Sequence, residues 1–358
     1  MMSTVIPFGP QHPVLPEPLH LKLTVKDEIV TEALPTIGYV HRGLEWLAQK
    51  KDFHQMVQVV ERVCGICSCI HAATYCQGIE EMMDIEVPRR AEFLRVIWSE
   101  MHRIHSHMLW LGLMADSFGL ESLFMQCWKV REQVMDVMEA TAGNRVIISV
   151  NQVGGVRRDL SDAQLSWIKD VLNNLEKEFL ALKSTFGDDY TVRKRTVGVG
   201  MLKKSSAYDL GAAGPVLRGS GIAQDMRMTG YGAYKHLDFE PVVEDGCDSW
   251  SRTMVRFREV LQSIDLVRQA ISRLPEGELT ARVKGKPEGE VIVRTEQPRG
   301  EVMYYIKASG NKFLDRCRIR TPTFANVPPL LEMLPGADLA NVPVIALSID
   351  PCISCTER

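Results

Sequence analysis

The feature that most limits how this chain can fold is a pair of matching cysteine turns set almost its whole length apart. Residues 62–71 read RVCGICSCIH, with Cys64 and Cys67 enclosing a glycine and an isoleucine, and the last nine residues read DPCISCTER, with Cys352 and Cys355. Thiolate is the soft ligand that zinc, Fe-S clusters and nickel select over oxygen donors. Brought together, the two turns make a four-sulfur site, and the chain between them then has to close one very large loop. The plainest such site is a four-cysteine zinc site, but its pairs usually lie about 15–20 residues apart. A thioredoxin-like role needs only one pair, beside a βαβ unit. The long separation weakens both readings.

The neighbours of the pairs lean toward a reactive metal. Arg62 and His71 flank the first pair and Asp350 precedes the second. An imidazole beside a metal-bound sulfur can donate a hydrogen bond that tunes it. Taken singly, each of these residues also fits a surface position or a satisfied core histidine.

Composition narrows the setting. The chain has 358 residues, 45% apolar and 24% charged, with a net charge of -3, which provides no long-range attraction to nucleic acid or an acidic bilayer. Nine cysteines are an odd number for a disulfide framework, and MMSTVIPFGP has neither the basic nor the apolar region of a secretion signal. A reducing, cytoplasmic setting follows. The most apolar stretches are interrupted by Asp116 and Glu121 or are too short for the roughly 20 residues a membrane span needs, so membrane association is expected to come through partners.

No repeat, low-complexity tract or long linker divides the chain, so residues 1–358 are expected to form one domain. LHLKLTVKDEIV alternates as a strand with a turn at Lys26-Asp27. Pro88 is placed as the first residue of a long helix that stops at Gly119, with Phe93, Ile97, His105 and Leu109 on one stripe. A second helix is predicted over Glu121–Ala142 before Gly143, a third after a cap at Asp159 or Ser161, and a fourth from SWSRT to Pro275. The glycine-rich TVGVGMLKK and GAAGPVLRGSGIAQDMR read as ordered loops or short strands, and GEVIVRTEQPRGEVMYYIKAS as antiparallel sheet.

The string RVCGIC with His71, and DPCISC near the terminus, resemble the two cysteine motifs of NiFe hydrogenase large subunits. FGPQHP, IGYVHRGLEWL, GGVRRDL, RTVGVG, GPVLRGSGI, LPEGE and IRTPTFANV resemble the quinone-site (49 kDa) subunit of respiratory complex I, and the likeness covers essentially the entire chain. A chain similar to both is identified as a member of the energy-converting, membrane-bound (group 4) NiFe hydrogenases, by its length of the Ech type. The resemblance implies an α+β, predominantly α fold: a helical bundle with small antiparallel β elements.

By that resemblance Cys64 and Cys352 are terminal nickel ligands, and Cys67 and Cys355 bridge nickel to an iron that carries cyanide and carbon monoxide, a NiFe(CN)2(CO) centre. Cys352 becomes the first proton acceptor when hydrogen is split. Arg299 matches the arginine above the open site, and Pro322 and Thr323 match the segment packed on the iron's ligands. Glu17 lies at the family's proposed gate glutamate, and Glu45 at a second carboxylate that serves magnesium or the proton path. Each of these residues also has a plain alternative as a loop or solvated residue.

Three departures stand out. The motif ends here in Arg358, where many relatives have a magnesium-binding histidine, so magnesium is left open. Relatives carry an aspartate before the histidine where this chain has Ser106 and His107, which leaves Arg299 without that carboxylate. A chain ending at Arg358 reads as either matured or made without a cleaved tail. Cys69, Cys76, Cys127, Cys247 and Cys317 match no ligand, so no Fe-S cluster is expected in this chain.

The resemblance further implies reversible H2 oxidation and proton reduction. Electrons would pass through a small subunit with a proximal 4Fe-4S cluster and a ferredoxin-like Fe-S subunit to or from ferredoxin. Integral membrane ion-translocating subunits would hold the chain on the inner face of the cell membrane, with no nucleic acid involved. Two other classes stay open: a metal-free quinone-site module like that of complex I, whose quinone-site tyrosine position falls on Gly65, and a structural four-cysteine zinc protein.

Overall fold

In the computed structural model, which describes residues 3–358, the alternating N-terminal segment forms a three-stranded antiparallel sheet of Thr4–Phe8, His20–Lys26 and Ile29–Thr36, in that order. Leu21, Leu23 and Val25 fall on its buried face, as a period of two requires. Lys26 pairs with Ile29, so the turn lies on Asp27 and Glu28, one residue later than the sequence suggested. Both take positive φ, 51° and 64°, the demand of a tight hairpin whose twist matches its strands.

The four long helices run over Arg89–Ser117, Glu121–Ala142, Asp162–Asp188 and Ser249–Ser272. Pro88 is the cap residue just outside the first. Ser161 caps the third in a reciprocal pair with Gln164, while Asp159 is taken by Arg90. The Arg89–Ser117 helix lies between its neighbours, packed on the second and fourth helices and on the Ser68–Met82 helix. Its middle is buried all round, Arg103, His105, Ser106 and His107 included, which is why no single stripe describes it; Leu109 is only half-buried.

The second half of the chain builds a hairpin of Glu288–Gln297 and Gly300–Ser309, joined on its outer edge by Arg316–Arg320. Gln297 pairs with Gly300, leaving Pro298 and Arg299 as a two-residue turn. That turn presses on the glycine-rich segment: a Cβ on Gly214 would sit 2.3 Å from the Gly300 Cα. The first glycine-rich segment stays an ordered loop over 197–203, and the second holds the helical turn Pro215–Arg218; no strand forms in either. The close approach of Gly214 to the hairpin, not local propensity, accounts for that glycine.

The chain ends meet because the N-terminal sheet receives the C-terminal segment. Val30 N donates to Ala337 O at 2.9 Å and Gly336 N donates to Val30 O at 2.7 Å. One apolar cluster fills the helical layer, one surrounds the hairpin and the helices Phe53–Glu61 and Ser68–Met82, and one joins the N-terminal sheet to the C-terminal helices. The fold is α+β and mainly helical. Among the described residues no helix is long and apolar enough to cross a membrane.

Candidate metal centre

Both cysteine turns lie at helix starts. Cys67 caps the Ser68–Met82 helix, whose first N–H groups lack intrahelical partners and favour negative charge. Cys352 caps Ile353–Glu357, and its sulfur accepts from Cys355 N at 3.4 Å. The turns converge although nearly the whole sequence separates them. Cys352 Sγ is 3.3 Å from Cys64 Sγ, and Cys64 Sγ is 3.8 Å from Cys67 Sγ. The sulfurs of Cys64, Cys67 and Cys355 all lie within 4.8 Å of one another. All four cysteines are buried.

This packing sets their ionisation. Hydrogen bonds from the thiols of Cys352, Cys355 and Cys67 hold Cys64 well below the usual thiol range. Burial, then its three sulfur neighbours, push Cys355 well above it. The cluster alone thus favours one thiolate supported by thiols, and a soft cation is what would draw off the remaining protons. Four buried sulfurs with no oxygen donor among them fit a nickel–iron centre.

Arg299 reaches in from the hairpin turn. Its Nη1 lies 3.2 Å from Cys67 Sγ and 3.9 Å from Cys64 Sγ. Its Nε donates to the carboxylate and the carbonyl of Asp350, each at 2.9 Å. Burial alone would lower the guanidinium's pKa, but Asp350 and the cysteines hold it well above the usual range. Ser106 supplies no carboxylate; the arginine's partner comes instead from the Asp-Pro-Cys segment. Asp350 attains this position in a left-handed conformation, φ 55°.

His71 Nε2 lies 3.6 Å from Cys355 Sγ and its Nδ1 2.7 Å from Tyr304 Oη. Burial lowers its pKa to about 4, so the ring is neutral at pH 7. Thr323 Oγ1 accepts from Cys352 N at 3.2 Å, and Thr321 Oγ1 donates to Cys355 O at 3.0 Å. Pro322, buried between them, opens the helix Pro322–Met333. The Glu17 carboxylate accepts from Ser354 N at 2.9 Å and from the Ser354 hydroxyl. Glu45 accepts from Arg358 Nε at 2.9 Å and Ile319 N at 2.8 Å. A guanidinium therefore already balances this carboxylate, and the pair offers no ready magnesium site.

Two expected neighbours stand apart. Arg62 is exposed and folds back on Gln58 O at 2.8 Å, because it follows the Phe53–Glu61 helix and caps its end. His107 points away from the cysteines to Glu259, at 2.8 Å, being on another face of the central helix. Two residues that sequence reasoning passed over join the site. Tyr304 could have been found from the inward alternation of Val302, Tyr304 and Ile306. Arg42 binds the carbonyls of Arg62, Val63 and Ser354 at 2.7, 2.9 and 2.9 Å, tying one cysteine turn to the other; nothing local in the sequence signals this.

Comparison with known proteins bears on the family. The profile of the nickel-dependent hydrogenases matches residues 42–115, and that of the respiratory-chain NADH dehydrogenase 49 Kd subunit matches 117–286 and 279–358. The chain is 41% identical to the carbon monoxide-induced hydrogenase of Rhodospirillum rubrum, over all of both chains. To the membrane-bound hydrogenase subunit alpha of Pyrococcus furiosus it is 39% identical, over 99% of this chain and 87% of that one. Among solved structures, it matches a chain of the membrane-bound sulfane sulfur reductase, an archaeal respiratory membrane complex, with a TM-score of 0.95 and 29% identity over 99% and 98% of the two chains. The chain belongs to the group 4 NiFe hydrogenase large subunits, which share their fold with the 49 kDa subunit of complex I.

Proposed function

We propose that this chain is the catalytic subunit of an energy-converting hydrogenase, interconverting hydrogen with protons and electrons at a nickel–iron centre held by Cys64, Cys67, Cys352 and Cys355. The observation that carries the reading is the convergence of the four buried sulfurs beneath the Arg299 guanidinium. When bound, a nickel–iron centre with cyanide and carbon monoxide on its iron supplies the electrophilic site at which hydrogen is cleaved heterolytically.

The protein's part is to hold charge and move a proton. Cys352 Sγ receives the proton, and Ser354 and Glu17 stand next: the Ser354 hydroxyl already bonds the Glu17 carboxylate. Arg299 keeps a fixed positive charge over Cys67, as a guanidinium that does not deprotonate can. Neutral His71 takes a hydrogen bond from Tyr304 at Nδ1 and donates from Nε2 to Cys355, which lowers electron density on that sulfur. Arg358 stands in for a cation at Glu45.

Electrons leave through a partner subunit, a reading supported by relatives and a structural neighbour that are parts of membrane respiratory complexes. Exposed Ile37, Tyr39, Trp46 and Phe324 surround Glu357 and Arg358: Gly38 N and Val40 N donate to the Glu357 carboxylate, and Arg358 lies over Phe324. An apolar patch of this kind suits a docked subunit, here a small subunit with a 4Fe-4S cluster, with ferredoxin and ion-translocating membrane subunits beyond it.

Metal analysis and infrared spectroscopy on the anaerobically purified complex test the proposal. Nickel and iron with bands of metal-bound carbon monoxide and cyanide support it. Stoichiometric zinc without those bands would return the site to a structural role. Quinone reduction by a fully assembled, metal-free complex would assign the chain to the complex I side of its family.

A further inference from the structure

Seven charged side chains, each at most 2% exposed, form one array behind the Arg299 turn: Glu100, Arg103, Arg218, Asp225, Arg227, Glu259 and Glu296. Arg227 pairs with Glu100 at 3.3 Å and Asp225 at 2.8 Å, and Arg103 with Glu100 at 3.1 Å. Arg218 serves three carboxylates: Asp225 at 3.1 Å, Glu296 at 2.8 Å and Glu259. Four carboxylates thus share three guanidiniums. A fourth buried guanidinium, Arg256, stacks on Trp110, donates to Arg252 O and acts on Glu259 through space, but it forms an ion pair with none of the four and lies away from Glu296 in the bonding scheme. A buried array carrying an uncompensated charge is costly, so the count leaves room for one proton.

The geometry also says where that proton goes. Glu100 has two guanidiniums and the hydroxyls of Tyr234 and Ser263. Asp225 has Arg227 on both oxygens and Arg218 besides. Glu259 has Arg218 and His107. Glu296 has one Arg218 nitrogen at 2.8 Å and Met226 N at 3.0 Å. It is the least compensated of the four. It is also the one that lines a cleft, of about 190 Å³, walled by Tyr208, Gln224, Arg294, Glu301 and Arg320.

We propose that Glu296 is a proton-exchange site, taking a proton from solvent through this cleft and holding it as a neutral carboxylic acid at the edge of the buried array. The groups facing it are Arg218, Asp225 and Arg227 from the 215–229 segment, Tyr231, Arg103 from the central helix, Arg294 and Glu301 from the hairpin and Arg320 from the outer strand. Burial, and then Asp225, push the carboxyl up to about 7 despite Arg218. No member of the array hydrogen-bonds a cysteine, so the site stands whether or not the metal reading holds. Its place three residues before Arg299 puts the exchanged charge on the strand that leads into the turn carrying that arginine, by a route using none of the groups around Glu17.

Infrared pH-difference spectroscopy on the purified complex tests this directly. The wild type is expected to show the carbonyl stretch of a buried protonated carboxyl that appears as pH falls through about 7 and shifts in heavy water. Glu296→Gln is expected to abolish that signal, Glu296→Asp to move its frequency, and Glu17→Gln to leave it in place. A wild type with no such titrating band overturns the proposal, as does a band that survives Glu296→Gln or keeps its frequency in Glu296→Asp.

Discussion

Arg299 donates to the carboxylate of Asp350 at 2.9 Å while its other arm faces the sulfur of Cys67. The guanidinium's position is thus set from the segment that carries the second cysteine pair, and the two halves of the site cannot move independently. Asp350→Asn tests this with little backbone cost, because asparagine tolerates the left-handed conformation at φ 55°. Nickel and iron content should hold while turnover falls by about 10–100-fold, the range for losing a partner just outside a metal's ligands. Unchanged turnover at full metal content would show that Arg299 needs no carboxylate.

Arg42 spans three carbonyls, two before the first cysteine pair and one inside the second. Arg42→Ala removes the tie without touching a sulfur. The variant should fold, with near-native circular dichroism, and release its metal faster under chelator challenge; Arg42→Lys, with one point charge in place of a planar fork, should be intermediate. Equal release rates in all three proteins would reduce Arg42 to a surface residue.

Glu17 holds both the amide and the hydroxyl of Ser354, between Cys352 and Cys355. Glu17→Gln keeps a carbonyl acceptor for the amide but cannot bind and release a proton. Hydrogen–deuterium exchange and turnover should both drop by about 100-fold or more, the scale of a lost general acid or base, with metal content unchanged. If both rates survive in fully metallated enzyme, the proton leaves by another path.

Glu296 gives a pH dependence with a defined sign. Its carboxyl is raised to about 7 in the folded chain from an ordinary 4.5, so between those values the folded state binds more protons than the unfolded one. Stability from this group is then full at low pH and is lost as pH rises through 7. Glu296→Gln mimics the protonated form, so its stability relative to wild type should be greater near about pH 8 than near about pH 5. Urea midpoints of the two proteins across pH provide the check.

Much of this was legible because it is local. The Glu121–Ala142 helix, its Gly143 stop and the hairpin follow from periodicity and turn chemistry. The helix Ser68–Met82 was not, since 11 of its 15 residues are buried, and a segment covered on all sides shows no polar stripe to read. Asp350 was noticed as a neighbour of Cys352, but its bond to Arg299 joins positions 51 residues apart, and Arg42 to Ser354 spans 312. Such pairings follow from the meeting of the hairpin turn and the two chain ends, which no window of sequence contains.

Gly214 shows the same point at the level of one atom. A Cβ there would lie 2.4 Å from Arg299 O and 2.3 Å from Gly300 Cα, against backbone on both counts, so the hairpin turn itself must shift. Its φ of 63° with ψ of -140° lies in a region that essentially only glycine occupies, and adds about 1–3 kcal/mol for any residue with a side chain. Gly336, at φ 86° with nothing within 4 Å of its built Cβ, bears the strain without the clash. Gly336→Ala should therefore lower the denaturation midpoint modestly and leave turnover intact. Gly214→Ala should lower it further and reduce turnover as well, because the turn it displaces carries Arg299. Equal losses of stability in the two variants, with turnover unchanged in both, would mean that the contact between Gly214 and Gly300 does not position the arginine.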